Sequence, residues 1–88
     1  MKVIGIENVR RKDVPIYYRL VYTGLAKIEF VDGTMDCPVD FSVEIKPTGA
    51  KEITVTLTEG IPYPSVPVIR ELKKVIEAMH SDGSLPNV

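Results

Sequence analysis

The sequence predicts an α+β fold, an antiparallel β-meander of four to five strands with one C-terminal α-helix packed on its apolar face. Three observations lead there. Asp32-Gly33 stands between two runs of alternating apolar and polar residues, the strongest short-range hairpin signal. A further alternating run, Glu52 to Thr58, follows the turn residues Pro47-Thr48-Gly49-Ala50. Beyond Pro64, the apolar residues Val68, Ile69, Leu72, Val75, Ile76 and Met79 recur at helical spacing.

Lys2 to Val9 reads as the first strand. Ile4 and Ile6 share one face and Val3 and Val9 the other, a mixed pattern that suits a strand partly covered on both faces or lying at a subunit contact. Arg10-Arg11-Lys12-Asp13 reads as a charged hairpin loop.

From Val14 to Val31 the even-numbered positions are Val14, Ile16, Tyr18, Leu20, Tyr22, Gly24, Ala26, Ile28 and Phe30, and parity never breaks at Thr23-Gly24. One long strand bent at Gly24 accounts for this, and so does a turn at Thr23-Gly24-Leu25. We favour the bent strand, because glycine in a strand often marks a close backbone approach and Phe41 would cover it.

A two-residue type I′ loop at Asp32-Gly33 sets the register. Val31 then faces Thr34, Phe30 Met35, Ile28 Cys37, Ala26 Val39, Gly24 Phe41, Tyr22 Val43 and Leu20 Ile45. A one-residue slip would turn one apolar set to water.

Thr34 to Lys46 is the next strand, with Met35, Cys37, Val39, Phe41, Val43 and Ile45 inward. Pro38 lacks a ladder donor, so its nitrogen belongs at an edge or bulge. In the last strand Ile53 would face Ile45, and Glu52 would face Lys46 as an opposite-charge pair.

Glu59 to Pro64 is a connector stiffened by Pro62 and Pro64. Ser65 is the expected N-cap of the helix, with Pro67 tolerated in the first turn. His80 falls in the last turn, Gly83 supplies a left-handed residue after it, and residues 84–88 read as a loose tail.

The 88 residues are read as one domain, 44% hydrophobic and 26% charged, with a formal net charge of -1. No global field draws such a chain to nucleic acid or membrane. The one cysteine excludes an internal disulfide and a multi-cysteine metal site. Glu7 interrupts the opening apolar residues too soon for a signal peptide, so the expected location is cytoplasmic.

Candidate chemistry is sparse. Cys37 and His80 are the only thiol and imidazole, and a nucleophile and base must lie within hydrogen-bond reach. Cys37 is expected on the inner face, where a thiol is structural. Glu29 and Asp36 face each other in the expected register, an arrangement a hard cation would relieve, although no loop supplies further ligands. A solvated face is the simpler account, and neither a metal nor a cofactor is expected.

Arg10, Arg11 and Lys12, with Tyr17 and Arg19, form the one basic–aromatic grouping, of the kind that holds phosphates and stacks bases. Pro64-Ser65-Val66-Pro67 matches a PxxP pattern, better explained as a rigid entry to the helix.

The order of strands and helix, with the bent hairpin, resembles that of the small single-stranded-DNA-binding coactivator fold of the Whirly and positive-cofactor type. The resemblance lies in element order and assigns no residue.

The apolar set is larger than one short helix covers. The expected function is therefore a non-enzymatic protein-interaction module, homodimeric through Ile16, Tyr18, Leu20 and Tyr22. The alternative is a single-stranded nucleic-acid-binding module using Arg10, Arg11, Lys12, Tyr17 and Arg19.

Overall fold

A computed structural model describes residues 1–13 and 18–86. It is an α+β fold, a four-stranded antiparallel sheet in the order β1-β2-β3-β4 with one helix after it. The elements are β1 (Lys2–Lys12), β2 (Arg19–Phe30), β3 (Gly33–Ile45), β4 (Lys51–Leu57) and α1 (Ser65–Asp82). The helix meets both outer strands, β1 and β4, and so lies across the inner face of the sheet. Val68, Leu72 and Ile76 form its buried stripe, set against Tyr22, Ala26, Ile28, Val39, Phe41 and Val43. Each such aliphatic side chain contributes about 1.5–3 kcal/mol on burial.

The hairpin register differs from the expected one by two residues. Phe30 pairs with Gly33, Ile28 with Met35, Ala26 with Cys37, Gly24 with Val39, Tyr22 with Phe41 and Leu20 with Val43. The tip is therefore Val31-Asp32, and neither residue has a positive φ. Gly33, with φ 134°, takes the conformation that other residues avoid, just after the tip. A two-residue shift leaves every side chain on its original face, so apolar alternation does not distinguish the two registers. Charge does. The expected register would oppose Glu29 to Asp36 and Arg19 to Lys46. The observed one opposes Lys27 to Asp36 and Arg19 to Glu44.

β2 continues unbroken through Gly24, so the long-strand reading holds, starting at Arg19. Residues Val14 and Ile16, which that reading includes, lie outside the described residues. Val39, rather than Phe41, stands opposite Gly24.

What requires glycine there is β1. That strand carries two irregularities, one between Val3 and Gly5 and one between Glu7 and Arg10. In the second, Asn8 and Val9 oppose Gly24 alone, and Asn8 has φ 52°. Asparagine tolerates this left-handed conformation. A Cβ on Gly24 would lie 2.8 Å from Cγ2 of Ile6. The two bulges also correct the mixed pattern of β1: Val3, Ile6 and Val9 all pack on the core, while Ile4 is 54% exposed.

Arg10, Arg11 and Lys12 are strand residues, paired with Thr23, Tyr22 and Val21, and not a loop. Pro38 fits its expectation. Its carbonyl accepts the Thr58 N–H on the β4 side at 3.2 Å, so its donor-less nitrogen faces the place where β4 ends.

β4 is also shifted: Val43 pairs with Ile53, Glu44 with Glu52 and Ile45 with Lys51. The like charges at Glu44 and Glu52 are drawn apart, to Arg19 at 3.0 Å and Lys46 at 3.2 Å. The expected Lys46–Glu52 ion pair thus forms diagonally.

Ser65 is the first helical residue rather than the N-cap. Pro64 holds the cap position, with φ -56° and ψ 128° and no side-chain hydrogen bond. A Ser65 cap would need the N–H groups of the first turn, and Pro67 has none. Gly83 is left-handed as expected, with φ 79°. Beyond it Leu85 is buried in the core, so the expected tail is anchored at that point, while residues 87–88 lie outside the described residues.

Candidate interaction surfaces

The tip turn of the β2–β3 hairpin leaves Val31 99% exposed. Beside it, the connector after β4, stiffened by Pro62 and Pro64, brings Tyr63 to Phe30, with ring centroids 5.5 Å apart at 47°. Met1, Phe30, Val31, Met35, Pro62 and Tyr63 line an open groove of about 310 Å³. Tyr63 and Met35 are themselves exposed. Asp32 carries the only side-chain charge among the lining residues. Sequence reasoning misses this grouping. Val31 and Met35 read as hairpin residues, and nothing in the spacing reveals that Tyr63 returns to Phe30.

The other end of β2 holds the expected self-association residues. Tyr18 is 49% exposed, and its carbonyl accepts the Ile45 N–H at 2.9 Å. Leu20 is half-buried against the core. Tyr22 is corrected: it is 2% exposed and stacks on Phe41, with centroids 5.1 Å apart, so it belongs to the core and does not overhang the helix. Burial raises its phenol pKa above the ordinary 10.0. Ile16 lies outside the described residues.

The basic grouping is divided by strand alternation. Arg10 and Lys12 fall on the outer face, and Arg11 falls on the inner face opposite Tyr22. Lys12 lies 3.9 Å from Asp40. Arg19 donates to Glu44 at 3.0 Å, and that hydrogen bond and charge hold its pKa above the usual value. Tyr17 lies outside the described residues.

Glu29 and Asp36 do not face each other, which removes the reason to place a cation between them. Glu29 pairs with Thr34. Asp36 holds Lys27 at 3.3 Å, and Glu7 approaches the same ammonium at 3.4 Å. Asp36 first, then Glu7, raises the Lys27 pKa. Among the described residues, no group of three or more His, Cys, Asp or Glu is placed to hold a metal ion.

Cys37 lies on the inner face as expected, 3% exposed and opposite Ala26. Burial, then Asp36 and Glu59, raises its thiol pKa above the ordinary 9.0, which favours the neutral thiol. His80 sits in the last turn of α1, with Nδ1 buried and without a hydrogen-bond partner. Of the PxxP stretch, Ser65, Val66 and Pro67 form the first turn of α1 behind Pro64. Among the described residues, no helix is long and apolar enough to cross a membrane.

The profile of the BB-0187 family matches residues 1–81, which takes in the whole sheet and nearly all of α1, and the chain belongs to this family. No curated protein and no solved structure matches it.

Proposed function

We propose that this protein is a non-enzymatic interaction module of the cytoplasm, working as a homodimer through the tip of the β2–β3 hairpin. The observation that carries the reading is the apolar groove at the hairpin tip, lined by Met1, Phe30, Met35 and Tyr63 together with Val31, whose side chain is 99% exposed. A two-fold interface must be self-complementary, and an exposed apolar side chain on the wall of an apolar groove can contact the same groove of a second copy. With Asp32 the only side-chain charge, little like-charge repulsion opposes the approach. The buried, protonated Cys37 supports a structural part for the thiol. A single unpaired cysteine suits a reducing compartment.

The nucleic-acid reading has less support, because Lys12 and Arg19 are engaged by Asp40 and Glu44 and Arg11 stands on the opposite face. Sedimentation equilibrium of wild type and Val31→Glu tests the proposal. The wild type should approach twice the 9.8 kDa chain mass as concentration rises, and Val31→Glu should stay monomeric with an unchanged circular dichroism spectrum. A wild type that remains monomeric at the highest concentration, or a variant that dimerises equally well, overturns it.

A further inference from the structure

We infer that the free edge of β4 and the groove between β4 and α1 form a docking site for an extended acidic peptide, which adds to the sheet as a further strand. This site is separate from the hairpin tip and does not depend on dimerisation.

The sheet has two outer strands, and they differ. β1 is broken by two bulges and by the left-handed Asn8, devices that spoil an edge for pairing. β4 runs from Lys51 to Leu57 without a bulge, a proline or a positive φ. The Thr58 N–H bonds Pro38 O and the Lys46 N–H bonds Ala50 O, so Glu52, Thr54 and Thr56 turn their backbone groups toward β3. Lys51, Ile53, Val55 and Leu57 therefore turn theirs to the open side. These groups have no hydrogen-bond partner among the described residues. Their side chains share the inner face with α1.

The groove beside this edge measures about 450 Å³ and is lined by Lys51, Glu52 and Ile53 of β4 and by Arg70, Lys73, Lys74 and Glu77 of α1. Lys74 is held by Glu71 at 3.2 Å, and Glu52 by Lys46 at 3.2 Å. Lys51, Arg70 and Lys73 make no ion pair among the described residues, which leaves three free cations against Glu77. An extended peptide satisfies both features. Its backbone completes the ladder, and its carboxylates at alternate positions reach the three cations. In antiparallel pairing, the residues whose N–H and C=O meet β4 are those whose side chains face α1, so these positions carry the carboxylates. A second copy fits less well, because an isologous junction brings a second Lys51, Arg70 and Lys73 to the same place. A single-stranded nucleic acid lacks a stacking surface, since no aromatic residue lines the groove.

The test uses the full chain and fluorescently labelled peptides of alternating Glu and Val, long enough to span β4. The unmodified peptide should bind, more weakly as salt rises. N-methylation at the Glu positions should abolish binding, while N-methylation at the Val positions should leave it within about threefold. Arg70→Glu and Lys73→Glu, both exposed helix positions, should each lower affinity about tenfold without changing the circular dichroism spectrum. The proposal is overturned by no binding at low salt, by equal binding of both methylated peptides, or by a labelled oligothymidylate that binds more tightly and loses affinity in Lys73→Glu.

Discussion

Lys27 on β2 lies directly across from Asp36 on β3, with Nζ 3.3 Å from the carboxylate, and Glu7 of β1 reaches the same ammonium at 3.4 Å. One cation thus ties three adjacent strands on the outer face. Its larger consequence is for register. Two hairpin pairings, two residues apart, bury the same apolar side chains, and only the observed one gives Asp36 and Glu44 cations to face.

Charge should therefore behave as a register determinant. Lys27→Glu and Asp36→Lys should each lower stability, and the double exchange should recover part of the loss, the remainder reflecting Glu7 left beside a carboxylate. Urea denaturation of the four proteins at low salt checks this. The coupling should shrink as salt rises, because both side chains are partly solvated. Additive losses in the double variant would count against the assignment.

Gly24 should resist substitution although it lies within a strand. A Cβ there meets Ile6 Cγ2 at 2.8 Å and Val9 Cγ2 at 3.4 Å. Both atoms belong to stiff β-branched side chains packed on the core. Gly24→Ala should cost about 1–3 kcal/mol, and Gly24→Val more, measured by chemical denaturation. A neutral Gly24→Ala would mean that β1 does not approach β2 as closely as described.

Stability should fall at alkaline pH. Cys37 and Tyr22 are both held neutral by burial, so their folded-state pKa values lie above the unfolded ones. A raised pKa contributes stability that is full below the unfolded value and lost as pH rises through the folded one. The decline should begin near the ordinary thiol value of 9.0 and steepen beyond the ordinary phenol value of 10.0. Cys37→Ala should remove the first part of the slope and Tyr22→Phe the second, read from urea midpoints along a pH series. An unchanged slope in both variants would contradict their burial.

The sequence is legible where one physical signal acts alone. Alternation assigns the inner residues of β3 and β4, because side-chain direction depends only on parity. Helical spacing places Val68, Leu72 and Ile76 on one stripe. The turn is misplaced because Asp-Gly serves equally as the centre of a type I′ loop or, as here, as the last tip residue followed by the glycine that takes positive φ. β1 misleads for a different reason. Its bulges convert a two-residue period into the spacing of Val3, Ile6 and Val9, and no bulge is written into local composition. The same error turns Arg10, Arg11 and Lys12 into a loop. As strand residues they divide between two faces, which separates Arg11 from Arg10 and Lys12.

Neither surface is legible in advance. The tip groove joins Phe30 to Tyr63, and the edge groove joins Lys51 to Arg70 and Lys73. Both depend on how α1 and its connector return to the sheet, a tertiary relation that periodicity does not encode.

The central claim is self-association through the hairpin tip, and a dilution series followed by amide NMR tests it most directly. Peaks from residues 30–35 and from Tyr63 should shift together as concentration falls, with a single dissociation constant, while those of Tyr18 and Ile45 stay fixed. Spectra that do not change with concentration, or shifts centred on Tyr18 and Ile45, would contradict it.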